Sequence, residues 1–236
     1  MRIIDPLFPL AGASVSQALA ELDRFGVERA GISLDDDPAL ARAALAAHPE
    51  RFFARTEVDP RRGMDELRRL ERIAREVPLH LVTAAPARLF LPIDDKLFYP
   101  VFAKCIELDV AFCPSLGVPA ERVPFSPQKV ERIDEVAWFF PELRIVMSGG
   151  CEPWQALAVL LMRKYPSLSY VTGGILPGEL PDEVRAFANE DGAHQVLFGS
   201  GEPHERFYKA LPEGDLARPV WPRFLRENAA RILKLS

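Results

Sequence analysis

The side chains of this 236-residue chain that could move protons or attack a carbonyl sit just after short apolar runs. Asp5 follows Arg2-Ile3-Ile4, Glu57 closes Arg51–Glu57, Cys113 closes Val110–Cys113, and Glu202 and His204 follow Gln195–Gly199. A carboxyl group so placed can serve as general acid or base, an acidified thiol as nucleophile, and an imidazole can assist either. Each has a plainer role open to it. Asp5 is equally suited to capping a neighbouring amide, and Glu57 to pairing with Arg55 or another arginine. Cys113 has no basic neighbour in sequence to acidify it, so a small core residue is the competing reading.

A second set could bind rather than react. Ser148-Gly149-Gly150 ends another apolar run, and glycine-rich turns before helices can turn backbone amides toward a carboxylate or phosphate. The same glycines could serve the turn's backbone angles alone. Glu152 opens the next helix, where a carboxylate suits the helix dipole. Ser148, Gly149, Gly150 and Glu152 are the expected substrate-binding residues.

Metal chemistry finds little support. The four histidines, His48, His80, His194 and His204, share no ligand-like spacing. His48 reads as a surface residue, His80 as a hydrogen-bonded interior one, and His194 precedes its strand. Only His204 follows one. The three cysteines, Cys105, Cys113 and Cys151, have neither the count nor the density of a disulfide framework. No metal and no cofactor are expected.

The elements that must position these residues alternate along the chain. Candidate strands are Arg2–Asp5, Glu28–Ser33, Arg51–Glu57, Leu79–Thr83, Val110–Cys113, Arg144–Met147, Ser167–Thr172 and Gln195–Gly199. Helical patterns separate them: Ser14–Phe25, Pro38–Ala47, Met64–Glu76, Phe98–Leu108, Pro127–Phe140, Pro153–Lys164 and Leu180–Glu190, with a last helix near Trp221–Leu233. Within Met64–Glu76, Leu67, Leu70 and Ile73 share one face while Arg68, Arg69, Arg72 and Arg75 fill the others. Pro127 after Ser126 reads as a capped helix start. Parallel neighbours need such crossovers, so the fold class is α/β, and eight strands suit a (β/α)8 TIM barrel over residues 1–236. An open doubly wound sheet would give a similar string, but no Gly-x-Gly-x-x-Gly follows the first strand. In a barrel the site lies at the C-terminal strand ends, where the reactive candidates fall.

Composition narrows the partners. Hydrophobic residues make up 48% of the chain and the formal net charge is -5, with basic residues dispersed among acidic ones. No basic field would hold a nucleic acid. No apolar run approaches a membrane span and no leader pattern opens the chain, so a cytoplasmic protein is expected.

The strand-end segments carry a resemblance. Arg51-Phe52-Phe53-Ala54 through Val58-Asp59-Pro60, Phe139-Phe140-Pro141-Glu142-Leu143-Arg144-Ile145-Val146 with Pro153-Trp154 beyond, Phe198-Gly199-Ser200-x-x-Pro203 and Glu227-Asn228-Ala229-Ala230-Arg231-Ile232-Leu233 together resemble the amidohydrolase-related branch of the amidohydrolase superfamily. That branch includes aminocarboxymuconate-semialdehyde decarboxylase and other metal-dependent hydrolases and decarboxylases. The resemblance implies a metal gripped by Asp-x-His-x-His after strand one, by further histidines after strands five and six, and by an aspartate after strand eight. Here Asp5 is kept, while Leu7 and Pro9 stand at the first histidine positions. Cys113 or Pro114, Ser148 or Gly149, and Gly201 stand at the others. Leucine, proline and glycine side chains offer no lone pairs.

Two functions follow as expectations. One is a divergent hydrolase or decarboxylase-like enzyme acting on a small carbonyl or carboxylate compound without the family's metal. The other is a catalytically inactive barrel serving as a ligand-binding protein or partner subunit. Homo-oligomers and hetero-oligomers with an active relative are both open to it.

Overall fold

Strand β3, Phe52–Glu57, shows how the chain sorts its side chains. Successive side chains of a strand point to opposite faces. Phe53 turns to the barrel axis, and Arg55 and Glu57 follow at the same parity, both lining a cavity at the strand's C-terminal end. Phe52 and Ala54 turn outward into the layer beneath the helices. In the computed structural model, which describes residues 2–10, 12, 14–201 and 204–235, eight parallel strands repeat this arrangement as a (β/α)8 barrel.

The other strands are β1 (Ile3–Asp5), β2 (Val27–Ser33), β4 (Leu79–Ala84), β5 (Ala111–Pro114), β6 (Ile145–Met147), β7 (Leu168–Val171) and β8 (Val196–Leu197), hydrogen-bonded in sequence order. The helices are α1 (Val15–Phe25), α2 (Pro38–Ala47), α3 (Met64–Glu76), α4 (Pro86–Leu89), α5 (Tyr99–Glu107), α6 (Ile133–Phe139), α7 (Gln155–Lys164), α8 (Asp182–Asn189), α9 (His204–Lys209) and α10 (Asn228–Ile232). None of the described helices is long and apolar enough to cross a membrane.

The barrel interior is a single apolar layer drawn from seven strands: Ile4, Phe53, Leu81, Ala111 and Cys113, Val146, Val171 and Leu197. Strand β2 contributes a glycine instead. A Cβ on Gly31 would lie 2.4 Å from the Pro6 carbonyl oxygen and 2.7 Å from the Phe53 ring, so the missing side chain is the space Phe53 fills. Beneath this layer the C-terminal segment plugs the barrel with Ala229, Ile232, Leu233 and Leu235. His80 Nδ1 lies 2.8 Å from the Leu233 carbonyl oxygen, and Arg144 Nε donates to Ile232 O at 2.7 Å. His80 is thus the hydrogen-bonded interior residue its position suggests, and burial holds its pKa down.

Two helical expectations are corrected. Pro127–Phe140 is not one helix. Lys129 is extended (φ -64°, ψ 135°) between two short 3₁₀ turns, and the α-helical part starts only at Ile133. The cause is tertiary: buried Gln128 accepts from the Ala87 amide at 3.3 Å and donates to Gly117 O at 2.8 Å, which fixes that turn against two loops. The last helix is likewise interrupted, with a π-helical turn over Arg223–Glu227 before α10. Asn228 follows it, and its buried amide donates to Ala193 O and Val196 O at 2.8 and 2.7 Å.

Gly31→Ala should destabilise the fold by about 2–3 kcal/mol, because the added methyl meets backbone and an immobile ring rather than a flexible side-chain end. Urea unfolding measures this, and an unchanged midpoint would contradict the packing described.

Candidate functional site

Strands β3 to β8 end around a cavity of about 330 Å³, walled by Leu7, Arg55, Glu57, Thr83, Cys113, Ser148 and Ser200 among others. It shares Arg88, Ser115, Gly149, Gly173 and Gly174 with an outer compartment of about 490 Å³. The two form one continuous barrel mouth.

Glu57 occupies the inner compartment, and the surrounding framework holds it by its backbone. Its amide donates to Asp35 Oδ2 at 2.6 Å, and its carbonyl accepts from Arg69 Nη2 at 2.5 Å. Arg69 is not the solvent-face residue its helical position suggests. Its guanidinium also bonds Thr56 Oγ1 and Glu66 Oε1, and Glu66 is fully buried in the first turn of α3. The Glu57 carboxylate accepts from Arg88 Nη2 at 2.9 Å. Burial nevertheless outweighs the Arg88 charge and raises the Glu57 pKa above the ordinary carboxylate range. Ionisation of a desolvated carboxyl is disfavoured even with a cation at one edge.

Arg55 lies one inward position below Glu57. Its Nε is buried without a hydrogen-bond partner, and no carboxylate among the described residues lies within ion-pair distance of it. Its charge acts on both Glu57 and Cys113. Adjacency in sequence offers Arg55 as a partner for Glu57, yet Arg88 takes that part. The alternation Phe53, Arg55, Glu57 was the available signal, since one face of β3 carries all three.

Of the other expected catalytic residues, Asp5 and His204 lie away from the cavity wall. Asp5 is fully buried and is not part of the cavity wall. Its Oδ1 accepts from the Leu7 and Ser200 amides at 3.0 and 3.1 Å, and its Oδ2 accepts from Tyr208 Oη at 2.5 Å. The amide-capping alternative describes this geometry, with Tyr208 as the partner sequence reading missed. His204 is turned to α1, where its Nε2 lies 2.7 Å from Glu21 Oε2, and its ring packs on Phe8. It does not face the mouth. Glu202 lies outside the described residues. Cys113 does border the cavity, and burial pushes its thiol up to about 11, which keeps it protonated at neutral pH.

The expected binding turn is at the mouth. Gly149 and Gly150 have φ of 77° and 79° and line the outer compartment with Glu152. A side chain at Gly149 would strike the Leu116 carbonyl oxygen at 2.9 Å, so the tight turn itself requires glycine. Ser148 Oγ borders the inner compartment and donates to Pro114 O at 3.0 Å. Among the described residues, no three His, Cys, Asp or Glu side chains gather into a metal-holding group.

A family model described as "Amidohydrolase" matches residues 2–235. The chain is similar to the solved structure of an uncharacterized TIM-barrel protein from Bordetella bronchiseptica, with 20% identity, 99% of each chain covered and a TM-score of 0.83. It is also similar to 5-carboxyvanillate decarboxylase from Sphingomonas paucimobilis (18% identity, 93% of this chain and 83% of that one, TM-score 0.70). A third likeness is to a probable 2-pyrone-4,6-dicarboxylic acid hydrolase from Acinetobacter baumannii, solved with citric acid bound (14% identity, all of both chains, TM-score 0.72). Among curated proteins none matches the chain.

Tyr208→Phe should cost about 2 kcal/mol of stability, since it removes a hydrogen bond to a buried carboxylate. Asp5→Asn and the double variant complete the cycle in chemical denaturation. A cycle showing no coupling between the two positions would remove Asp5 from this structural role.

Proposed function

Because the chain belongs to the amidohydrolase family, we propose that it is a divergent hydrolase or decarboxylase-like enzyme for a small carbonyl or carboxylate compound, working without the family's divalent metal. The observation that carries this reading is a carboxyl group of raised pKa, Glu57, in the wall of a cavity at the strand ends of the barrel. A group so tuned holds a proton above the pH at which free carboxylates have lost theirs, which suits a general acid. Arg88 at 2.9 Å fixes one carboxyl oxygen and leaves the other for the reacting molecule. In a decarboxylation, Glu57 would deliver its proton to the carbon that loses CO2. In a hydrolysis it would protonate the leaving atom as water adds to the carbonyl.

The donor set argues against a divalent ion. The Leu7 side chain occupies the space beside Gly173 and Gly199, where a Cβ on either glycine would come within 2.4 and 3.3 Å of Leu7 Cδ1. Gly201 has no side chain to coordinate a metal. The cation Arg55 lines the same cavity as Leu7, Cys113 and Gly201. At the positions where the resemblance implies metal-binding imidazoles and a carboxylate, this chain carries Leu7, Pro9, Cys113 or Pro114, Ser148 or Gly149, and Gly201. The same departure is what favours the second reading, a non-catalytic ligand-binding barrel, alone or paired with an active relative.

Turnover tests the enzyme reading. Untagged protein purified from metal-replete medium should carry far less than one equivalent of divalent metal by elemental analysis. It should process a member of a broad panel of small carbonyl and carboxylate compounds, and chelator should leave that rate unchanged. Stoichiometric zinc, manganese or iron overturns the metal-free assignment, and a panel without turnover favours the binding barrel. Glu57→Gln should lower kcat/KM by about 100-fold or more. With Glu57 as the acid, the wild-type rate falls as pH rises through its raised pKa, and that limb should vanish in Glu57→Gln.

A further inference from the structure

The charges of the mouth are sorted by depth. Among the described residues that line the inner compartment, two guanidinium groups, Arg55 and Arg88, face a single carboxylate, Glu57. Arg88 answers Glu57 at 2.9 Å, and Arg55 answers nothing within ion-pair distance among the described residues. A guanidinium with a buried, unbonded Nε is costly to hold in a protein unless something satisfies it. The surrounding polar groups do not supply the missing anion: Thr83 and Ser148 are neutral, and Cys113 keeps its proton. The outer compartment has the opposite sign, with Glu121, Glu152 and Glu179 on its wall and Arg88 as its one base among the described lining.

We propose that Arg55 is the anchoring residue for the carboxylate of an elongated monocarboxylate, seated in the inner compartment, whose far end lies in the outer compartment and bears no negative charge. The planar fork of arginine matches a carboxylate bidentately. Three acids on the outer wall disfavour a second anionic group there by like-charge repulsion. One of the similar solved structures is named for a dicarboxylic acid, a class of ligand that these outer-wall acids disfavour. The cation also takes over part of what a metal would do electrostatically, holding an anionic substrate group at the centre of the strand ends. The inference rests on the mouth being a small-carboxylate site, as proposed above, but not on turnover.

Fluorine NMR titration of the full chain at low ionic strength tests it by binding alone. The probes are 4-fluorobenzoate, 5-fluoroisophthalate and, as competitor, inorganic phosphate. The monocarboxylate should bind saturably, with affinity reduced about tenfold or more in Arg55→Gln. It should bind about fivefold more tightly than the dicarboxylate, a gap that closes when Glu121, Glu152 and Glu179 are changed together to glutamine. Arg55→Gln should melt at or above the wild-type temperature, because it removes a cation whose buried Nε has no partner, whereas a merely structural arginine would lose stability. Arg55→Lys keeps the charge without the fork and should bind with intermediate affinity. Absence of monocarboxylate binding at about 20 mM overturns the proposal, as does equal affinity in folded Arg55→Gln. A dicarboxylate that binds as well as the monocarboxylate, or phosphate that displaces it at matching affinity, overturns the assigned ligand class. Binding that depends on Arg55 without any turnover would leave this inference standing and remove the enzyme reading instead.

Discussion

The first and last strands of the barrel are joined through the Asp5 carboxylate. Strand pairing among the described residues runs from β1 to β8 in order, and the remaining seam between β8 and β1 is not closed by a ladder. Asp5, at the end of β1, reaches across that seam to the Ser200 amide just past β8 and takes the Tyr208 hydroxyl on its other oxygen. Both the burial of Tyr208 and the charge of Asp5 push the phenol toward staying protonated, which keeps the donor in place. The interaction therefore ties the first strand, the loop after the last strand and helix α9 into one unit. A carboxylate that fully engaged is poorly suited to moving protons, and the work of the mouth falls to residues on β3.

Strand β3 is held from outside for the same reason. Asp35, Glu66 and Arg69 bind the backbone around Glu57, so its carboxyl enters the cavity from a fixed frame. Bonding the main chain rather than the side chain leaves the carboxyl group free to lose or gain a proton while its position is kept. Arg55 shares this frame one inward step away, so acid and cation are separated by a fixed strand repeat.

Most of the architecture is legible in the sequence because it rests on periodicity. The eight strands and the amphipathic stretch Met64–Glu76 follow from alternation and helical spacing, and the observed elements agree with them to within a few residues. Errors arise where a distant partner decides. Gln128 breaks a helix through bonds to Ala87 and Gly117, and Arg69 leaves its solvent face for Thr56 and Glu57. The site shows the same division. Proximity to a strand end selects Glu57, Cys113, Ser148, Gly149 and Gly150, all of which border the mouth. It cannot tell that Asp5 is consumed by Ser200 and Tyr208, that His204 turns to Glu21, or that Arg88 frees Arg55 from Glu57. Those depend on residues far apart in the chain.

Leu7 and Gly173 meet at the mouth, where the leucine methyl lies 2.4 Å from where a β-carbon of residue 173 would stand. The atom met is the far end of a partly exposed side chain that borders the cavity, so the leucine can turn aside. A side chain added at residue 173 would push it into the mouth, and this pair therefore sets the room a ligand finds there rather than whether the barrel folds.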